Sequence, residues 1–407
     1  MCILAFSASV QNAAANAGRV ADFEQAPINV PSFIIFELAD TGTRGTPARP
    51  EKQHFMLDNR YDLSPILANY PSDFQIAATV PPCALASGFS GSLVWRLHTR
   101  RGMLCLRRWP AEFSDTVHLR WIHGILDGVF RAGFRLVPVP VKTSAGATFV
   151  YQAGFLWQLE PWLPGEADDD SSCVRRPSAV RVTAALTALA EFHAAGAVDS
   201  VNCLPDGPAP GILKRLAELN ALQFGDMDQL VSAIAIHGSS WPELADRAGE
   251  LLKTVRLAAN YTTELLQRAT KWNVRIRPCI RDIHRQHVLF EGDCVTGIVD
   301  FGAMQFDHVA TDIARLLGSF AGDEFELWRA GLGAYQRLQP LTEQELLLVD
   351  NYDKSGVLLS GIHWLQWVFV DGRDFVNRQA VLARFDEILG RLIRSVDQSP
   401  ASASIIV

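Results

Sequence analysis

The sequence lacks the cysteine spacings of disulfide-rich and zinc-binding proteins. Its seven cysteines, spread over 407 residues, form no C-x-x-C pair. An odd number of cysteines without such spacing is typical of reduced thiols in a cytosolic protein. The opening segment CILAFSASVQNAAANA has no basic residue before it, and the first arginine is Arg19, so we expect no signal peptide. The sequence therefore predicts a cytoplasmic location.

Long apolar runs and clusters of basic residues are also missing. No apolar stretch reaches the roughly 18 residues that a membrane-spanning helix needs. Lys and Arg number 37 against 44 Asp and Glu, which gives a net charge of −7, and no basic run stands out. Neither a membrane nor a nucleic acid is therefore expected as a partner. Nothing in the sequence indicates an oligomeric state.

Hydrophobic residues make up 48% of the 407-residue chain, which is enough to bury a core in two lobes or domains. Residues 1–60 show no sustained periodicity, which predicts a poorly ordered N-terminal extension with a short strand at 32–38. The next part is rich in short apolar runs joined by tight turns, which favours an antiparallel sheet with one helix. Strands are predicted at 74–85, 93–98, 103–107, 134–141 and 148–159, and a helix capped by Ser114 or Asp115 at 117–131.

The second half of the chain is predicted to be helical. Apolar periodicity predicts helices at 178–195, 211–222, 242–269, 311–320, 324–339, 342–369 and 378–396. The pattern is an α+β one, with a β-rich part followed by a mainly helical part. We place the boundaries at 61–158 for the first lobe and 159–400 for the second.

A hairpin in the helical half carries an aspartate near each end. The apolar runs 287–290 and 295–301 flank the turn Glu291-Gly292-Asp293, so Asp300 should return opposite about residue 284, beside the loop that holds Asp282. One carboxylate could accept a proton from a hydroxyl while the other holds a hard cation against phosphate oxygens. Either aspartate alone is explained as well by a turn or a strand end.

The combination of residues around this hairpin is more specific. The sequence reads I-R-D-I-H-R-Q-H from Ile280, then Asp300-Phe301-Gly302, then Asp312-Ile313-Ala314. It resembles the catalytic core of the aminoglycoside phosphotransferase and choline kinase families, relatives of the protein kinases. Their pattern is H-G-D-x-H-x-x-N, a hairpin, D-[FW]-G and then D-[LI]-A. Here Ile280 replaces the first histidine and His287 replaces the asparagine.

The resemblance covers about residues 70–395 and implies a bilobal protein-kinase-like fold, with a small antiparallel β lobe and a larger helical lobe. It implies that Asp282 is the base for the attacking hydroxyl and that Asp300 binds the metal. His287 stands where the family has a second metal ligand. His284 is a further catalytic-loop residue, which more simply orders that loop. Asp312 would brace the loop backbone, with Asp307 as another candidate.

Residues for a nucleotide are implied in the first lobe. Glycines between two strands let backbone N–H groups approach phosphate oxygens, and the serines could donate hydroxyl groups, although an ordinary hairpin explains the same pattern. The residues concerned are Gly88, Ser90, Gly91 and Ser92. The resemblance assigns Arg107 as the phosphate contact, with no obvious helix glutamate as its partner, and Asp115 or Asp127 as candidates. Backbone groups near Glu160 and Trp162 would contact the adenine edge.

The expected function is transfer of the γ-phosphate of ATP or GTP to a hydroxyl of a small molecule, with Mg²⁺ or Mn²⁺. The acceptor classes phosphorylated on this fold include aminoglycosides, sugars, choline and amino alcohols. A pseudokinase-like nucleotide-binding module without turnover is the alternative. A hydrolase is disfavoured because no G-x-S-x-G motif is present.

Overall fold

The computed structural model describes residues 61–76, 83–85, 91–168, 178–197, 204–375 and 377–397. For residues 83–85 only the backbone is described. The expected extension at 1–60, with its strand at 32–38, lies outside these residues. So do Gly88 and Ser90.

Eleven strands among the described residues form three antiparallel sheets. They are β1 Cys83–Leu85, β2 Leu93–Thr99, β3 Gly102–Arg108, β4 Val150–Gln152, β5 Phe155–Pro161, β6 Glu166–Ala167, β7 Leu204–Gly207, β8 Val274–Cys279, β9 Val288–Glu291, β10 Cys294–Ile298 and β11 Gln305–Asp307. The sheet orders are β1-β2-β3-β5-β4, β10-β9-β6 and β11-β8-β7.

Most helices of the described residues follow β6 along the chain. The described helices are α1 Ser64–Leu67, α2 Thr116–Arg131, α3 Ala179–Gly196, α4 Pro210–Ala221, α5 Met227–His237, α6 Pro242–Ala269, α7 Ala310–Ala321, α8 Phe325–Gln336, α9 Glu343–Leu365 and α10 Arg378–Asp397. A single turn of π-helix, 366–370, follows α9.

The five-stranded sheet, α1 and α2 make the smaller β lobe. Alternation along β2, β3 and β5 buries one side of the sheet, where Leu97, Leu106 and Leu159 are fully buried. Helix α2 begins after Asp115, whose carboxylate accepts the backbone N–H groups of Val117 and His118. The predicted cap is thereby confirmed.

The remaining helices surround the two small sheets and make the larger lobe. Strand β6 pairs with β9, so the segment that leaves the five-stranded sheet after β5 is held against the hairpin of β9 and β10. The α+β, bilobal kinase-like architecture expected from the sequence is confirmed. No described helix combines the length and apolar character needed to cross a membrane.

One predicted strand is absent, the strand predicted from residue 74 starts in a turn of 3-10 helix at 72–74, and one helix was not predicted. Residues 134–141 form no strand, because Pro138 and Pro140 have no N–H to donate to a ladder. Helix α5 was not predicted, although Met227, Leu230, Val231 and Ile234 recur at helical spacing and Leu230 is buried.

Candidate active site

Asp282 lies in the loop between β8 and β9. Its side chain is 51% exposed, and its Oδ1 accepts a hydrogen bond of 2.9 Å from Nη2 of Arg315 on α7. The residue before it, Arg281, has a positive φ of 67°, a backbone conformation that costs a non-glycine residue about 1–2 kcal/mol. The Arg281 side chain donates to Gln305 at 2.6 Å and lies 3.7 Å from Asp307. These contacts hold the strained backbone beside Asp282.

Asp312 braces the same loop from α7. Its buried carboxylate accepts the N–H groups of Ile280 at 2.7 Å and Arg281 at 2.6 Å. It also contacts Nε2 of His193 at 3.0 Å, while Nδ1 of His193 meets the hydroxyl of Tyr335 at 2.9 Å. The predicted brace at Asp312 is confirmed, and His193 is structural.

Asp307 does not bind the loop backbone as Asp312 does. Its Oδ1 accepts from the hydroxyl of Tyr352 at 2.6 Å and from the N–H groups of Gly211 at 3.1 Å and His308 at 2.9 Å. Asp307 therefore links α4 and α9 to β11. Its contact with the loop that holds Asp282 is made through the side chain of Arg281.

The hairpin of β9 and β10 brings Asp300 back beside the loop, with a shift in register. Val295 pairs with Phe290, but Gly297 pairs with Leu289, so one residue is bulged out between them. The N–H of Val299 donates to the carbonyl of His287 at 2.9 Å. Asp300 therefore returns beside residues 286–287, two positions from the expected partner.

Asp300 lies close to the side chains of Arg107 and His287. It has a positive φ of 65°, and its Oδ1 pairs with Nη1 of Arg107 at 2.9 Å. Its Oδ2 lies 3.6 Å from Nε2 of His287. Burial opposes ionisation of Asp300, but the charge and hydrogen bond of Arg107, with the charge that His287 carries when protonated, outweigh burial and lower the pKa of Asp300. A carboxylate held ionised in this way is suited to a cation.

His287 connects the two aspartate segments. Its Nδ1 lies 3.0 Å from the carbonyl oxygen of Asp282, which only accepts, so Nδ1 carries the proton of this hydrogen bond. In the neutral ring the lone pair then lies on Nε2, the atom that faces Asp300. The ring packs on His284 with centroids 3.7 Å apart. Burial, with His287 and nearby arginines, holds the pKa of His284 well below its usual range. His284 is thus a neutral ring that packs within the loop.

Besides Asp300, Arg107 has an acidic neighbour within its own sheet. Asp115 caps α2 and Asp127 pairs with Arg131, so neither candidate helix partner reaches Arg107. On the same face of the sheet, Cys105 of β3 lies opposite Glu160 of β5, which places Glu160 diagonally from Arg107.

Glu160 is buried within a polar network under the sheet. Gln158 donates to it at 2.6 Å, and Oε1 of Gln158 accepts from Nε1 of Trp109 at 2.9 Å. Oε1 also lies 3.1 Å from Nε2 of His123 on α2. Burial raises the pKa of Glu160, while the charge of Arg107 acts in the opposite direction.

The other predicted nucleotide residues lie at two places. Gly91 has a positive φ of 73°, which suits glycine, and Ser92 is buried just before β2. The N–H of Trp162 donates to the carbonyl of Met103 at 3.1 Å, and its ring lies under Arg96. A nucleotide contact from Trp162 would therefore use its carbonyl or its ring.

Sequence reasoning missed Arg315 and Trp109. Arg315 follows Asp312 by three residues, so helical spacing places both on one face of α7 towards the loop. That spacing was a usable signal. A methyl group at Gly302 would lie 2.7 Å from the ring of Trp109, so the Asp-Phe-Gly segment packs directly against the β lobe. No sequence spacing indicates that contact.

Comparison with known proteins agrees with this geometry. The model of the family described as "Phosphotransferase enzyme family" matches residues 83–347. A homoserine kinase of Bradyrhizobium sp. (strain ORS 278) is 25% identical over 289 residues, which cover 69% of this chain and 78% of that protein. A homoserine kinase of Nitrobacter winogradskyi is 25% identical over 288 residues, covering 69% and 77%.

Solved structures show the same fold. An amicoumacin kinase in complex with AMP-PNP, Ca²⁺ and Ami has a TM-score of 0.57 at 14% identity, covering 86% of this chain and 98% of that one. A choline kinase from Cryptosporidium parvum Iowa II has a TM-score of 0.52 at 11% identity, covering 84% and 97%. The fold is that of the kinase-like phosphotransferases. The chain belongs to the phosphotransferase enzyme family, and it is an enzyme of the small-molecule kinase class.

Proposed function

We propose that the chain transfers the γ-phosphate of ATP or GTP to a hydroxyl group of a small molecule. The observation that carries the proposal is the position of His287. One of its ring nitrogens contacts the backbone of Asp282 at 3.0 Å, and the other faces Asp300 at 3.6 Å. This arrangement joins a half-exposed carboxylate, suited to a hydroxyl, to a carboxylate kept ionised for a cation.

The residues around Asp300 fit a divalent cation and a phosphate chain. Asp300 and Nε2 of His287 would hold Mg²⁺ or Mn²⁺, which when bound offsets the charge of the β- and γ-phosphates. Nε of Arg107 is buried and has no hydrogen-bond partner among the described residues, so a phosphate oxygen would satisfy it. Gly91, Ser92, Glu160 and Trp162 remain the proposed nucleotide contacts near this site, with Gly88 and Ser90 in the adjoining segment.

In this proposal Asp282 acts on the acceptor. Its Oδ1 is engaged by Arg315, which leaves Oδ2 to orient the attacking hydroxyl and accept its proton. The neutral ring of His284 keeps the loop in place by packing against His287. The transfer is direct, and no covalent intermediate with the protein is required.

We extend the proposal to the domains and the compartment. The proposed lobe boundary at 158/159 falls within β5, and 159–400 is kept as the proposed range of the second lobe. Cys105, Cys279 and Cys294 are free thiols, which supports a reducing compartment such as the cytoplasm.

The test compares Asp282→Asn with Asp293→Asn. Asp293 lies in the turn of the same hairpin, exposed and paired with Arg181, so it is a matched control. We expect Asp282→Asn to lower turnover at least about a hundredfold because the acceptor of the hydroxyl proton is lost. Nucleotide affinity should survive. A nucleotide-consumption screen over hydroxyl compounds, with Mg²⁺ and Mn²⁺ in parallel, measures turnover, and calorimetry measures binding.

The screen separates the alternatives. Wild-type turnover in Asp282→Asn would remove Asp282 from the mechanism. Nucleotide binding without turnover of any hydroxyl compound, by the wild type and both variants, would favour a pseudokinase-like module.

A further inference from the structure

Two residues with a left-handed backbone belong to the proposed site. Among the described residues, φ is positive for three that are not glycine, namely Ala153, Arg281 and Asp300. Ala153 and Gly154 form the two-residue turn between β4 and β5, where a hairpin requires such angles. Arg281 precedes the proposed base, and Asp300 is the proposed metal ligand. A strained backbone persists only where surrounding contacts hold it, and at Arg281 those contacts are well defined.

Arg281 is held through its backbone and, separately, through its side chain. The backbone N–H donates to Oδ1 of Asp312 at 2.6 Å, a bond that any residue with an N–H could make. The side chain donates from Nη1 to Oε1 of Gln305 at 2.6 Å, and its Nε lies 3.7 Å from Oδ2 of Asp307. That oxygen is buried and accepts no hydrogen bond from the described residues, so the guanidinium helps to offset its charge. The arginine side chain thus connects the loop to β11, which carries both partners.

Glycine would adopt the backbone conformation of Arg281 without strain. The related families have glycine at this place, in the pattern H-G-D, whereas this chain has I-R-D from Ile280. Arginine therefore adds strain to the loop, together with contacts to Gln305 and Asp307 that glycine cannot make. The Arg281 side chain is only 22% exposed, so little water competes for these contacts.

The next side chain along the loop is held by a different element. Oδ1 of Asp282 accepts from Arg315 on α7, whereas Arg281 donates to Gln305 in β11. A change in the backbone angles of Arg281 would turn the Asp282 carboxylate away from its present direction. Catalysis is sensitive to such a change, because a displacement of about 1 Å can lower a rate about a hundredfold.

We propose that Arg281 is a positioning residue for Asp282. Its side chain, bound to Gln305 and Asp307, holds the left-handed backbone that directs the Asp282 carboxylate towards the acceptor hydroxyl. Arg281 itself contacts no reacting group. The inference rests on the proposed phosphotransfer, and it makes β11 one of the elements that set the geometry of the base.

Hydrogen exchange tests how firmly the loop is held, and it needs no acceptor. Arg281→Gly keeps the N–H that Asp312 binds but removes the side-chain contacts. In the whole chain with Mg²⁺ and AMP-PNP, we expect the amides of residues 280–287 to exchange at least about tenfold faster in this variant than in the wild type. Gln305→Ala should increase exchange in the same segment. Ala153→Gly, which changes a left-handed residue in an exposed turn, is the matched control and should leave that segment unchanged.

Turnover tests the effect on the base. Arg281→Gly should lower kcat at least about tenfold, while the acceptor KM and the AMP-PNP affinity change less than about twofold, because the side chain contacts neither ligand. Arg281→Lys keeps the charge but loses the guanidinium donors, so its kcat should lie between the two. Gln305→Ala should also lower kcat. The double variant should be little slower than Arg281→Gly, because both changes remove the same contact. Thermal melting checks that each variant is folded.

The outcomes also separate this proposal from the proposed function. Unchanged loop exchange or unchanged kcat in folded Arg281→Gly would overturn the positioning role. A loss confined to KM would overturn it too, and so would an equal loss of kcat in Ala153→Gly. If Arg281→Gly does not fold, the same two measurements on Gln305→Ala decide. Faster loop exchange in Arg281→Gly, with no turnover by the wild type, would leave the holding role of Arg281 standing and contradict the proposed phosphotransfer.

Discussion

In the proposed metal site, His287 stands where the related families have an asparagine. An asparagine would offer an oxygen, whereas His287 directs Nε2 towards Asp300, at 3.6 Å from Oδ2. Mg²⁺ requires oxygen ligands in near-octahedral geometry, and imidazole nitrogen suits softer first-row ions better.

We therefore predict that Mn²⁺ supports turnover better than Mg²⁺. His287→Asn should lower the Mn²⁺-to-Mg²⁺ ratio of turnover by roughly tenfold, a change of about 1.4 kcal/mol in preference. Turnover at saturating nucleotide measures the ratio. His237→Asn, an exposed histidine at the end of α5, is the control. An unchanged ratio in active, folded His287→Asn would show that His287 is not a ligand.

Single residues also show where sequence reasoning reaches its limit. Asp282, Asp300 and Asp312 were found because each belongs to a short segment whose spacing is fixed along the chain. Glu160 was noted for its backbone, but its side chain acts on Arg107 through a diagonal cross-strand relation. That relation depends on the pairing register of β3 and β5, which a sequence pattern does not define.

At the scale of elements, the hairpin that carries Asp300 depends on one close contact. A methyl group at Gly297 would lie 2.6 Å from Cδ1 of Leu163, in the segment between β5 and β6. Gly297 stands beside the bulge that shifts the register, so Leu163 and the bulge together set the direction of the strand end before Asp300.

Gly297→Ala should therefore destabilise the protein by about 1–3 kcal/mol through overpacking, and it should also lower turnover. Gly249→Ala, in α6 with open space around it, should instead raise stability by up to about 1 kcal/mol. Urea unfolding measures both. Equal stability of the two variants would mean that the Leu163 contact yields easily.

Helices were predicted closely where their apolar stripe faces the core. Helix α6 was predicted at its observed limits, 242–269, because buried leucines recur along it. The segment 134–141 was predicted as a strand, although its prolines prevent ladder pairing. Gly225, at a φ of 139°, joins α4 and α5 through a kink, and the sequence there resembles a loop.

Across the whole molecule, buried histidines make stability depend on pH. Burial lowers the pKa of His123 to about 4, while its bond to Gln158 acts in the opposite direction. As the pH falls, His123 is protonated near pH 6.5 in the unfolded chain but only near pH 4 in the folded protein. Stability from His123 is therefore full above pH 6.5 and declines as the pH falls towards 4. His284 acts in the same direction.

We predict that the free energy of unfolding falls between pH 6.5 and 4, with a share of up to about 3 kcal/mol from His123. His123→Gln, although less stable at pH 7, should show a smaller decline over the same range. Urea unfolding at several pH values measures the slope. Parallel slopes in the wild type and the variant would show that His123 is protonated equally in both states.

Trp109 packs against Gly302, so its fluorescence should report on the state of the site beside Asp300. The indole is 6% exposed, stacks on Phe113 at 4.3 Å and lies 5.3 Å from the guanidinium of Arg107, which pairs with Asp300. A cation and phosphates at Asp300 would change the electric field across that ring. The emission of Trp109 should therefore shift when metal and nucleotide bind, and Trp109→Phe should reduce the shift of the total emission. Fluorescence titration could then follow occupancy of the site before any acceptor is known.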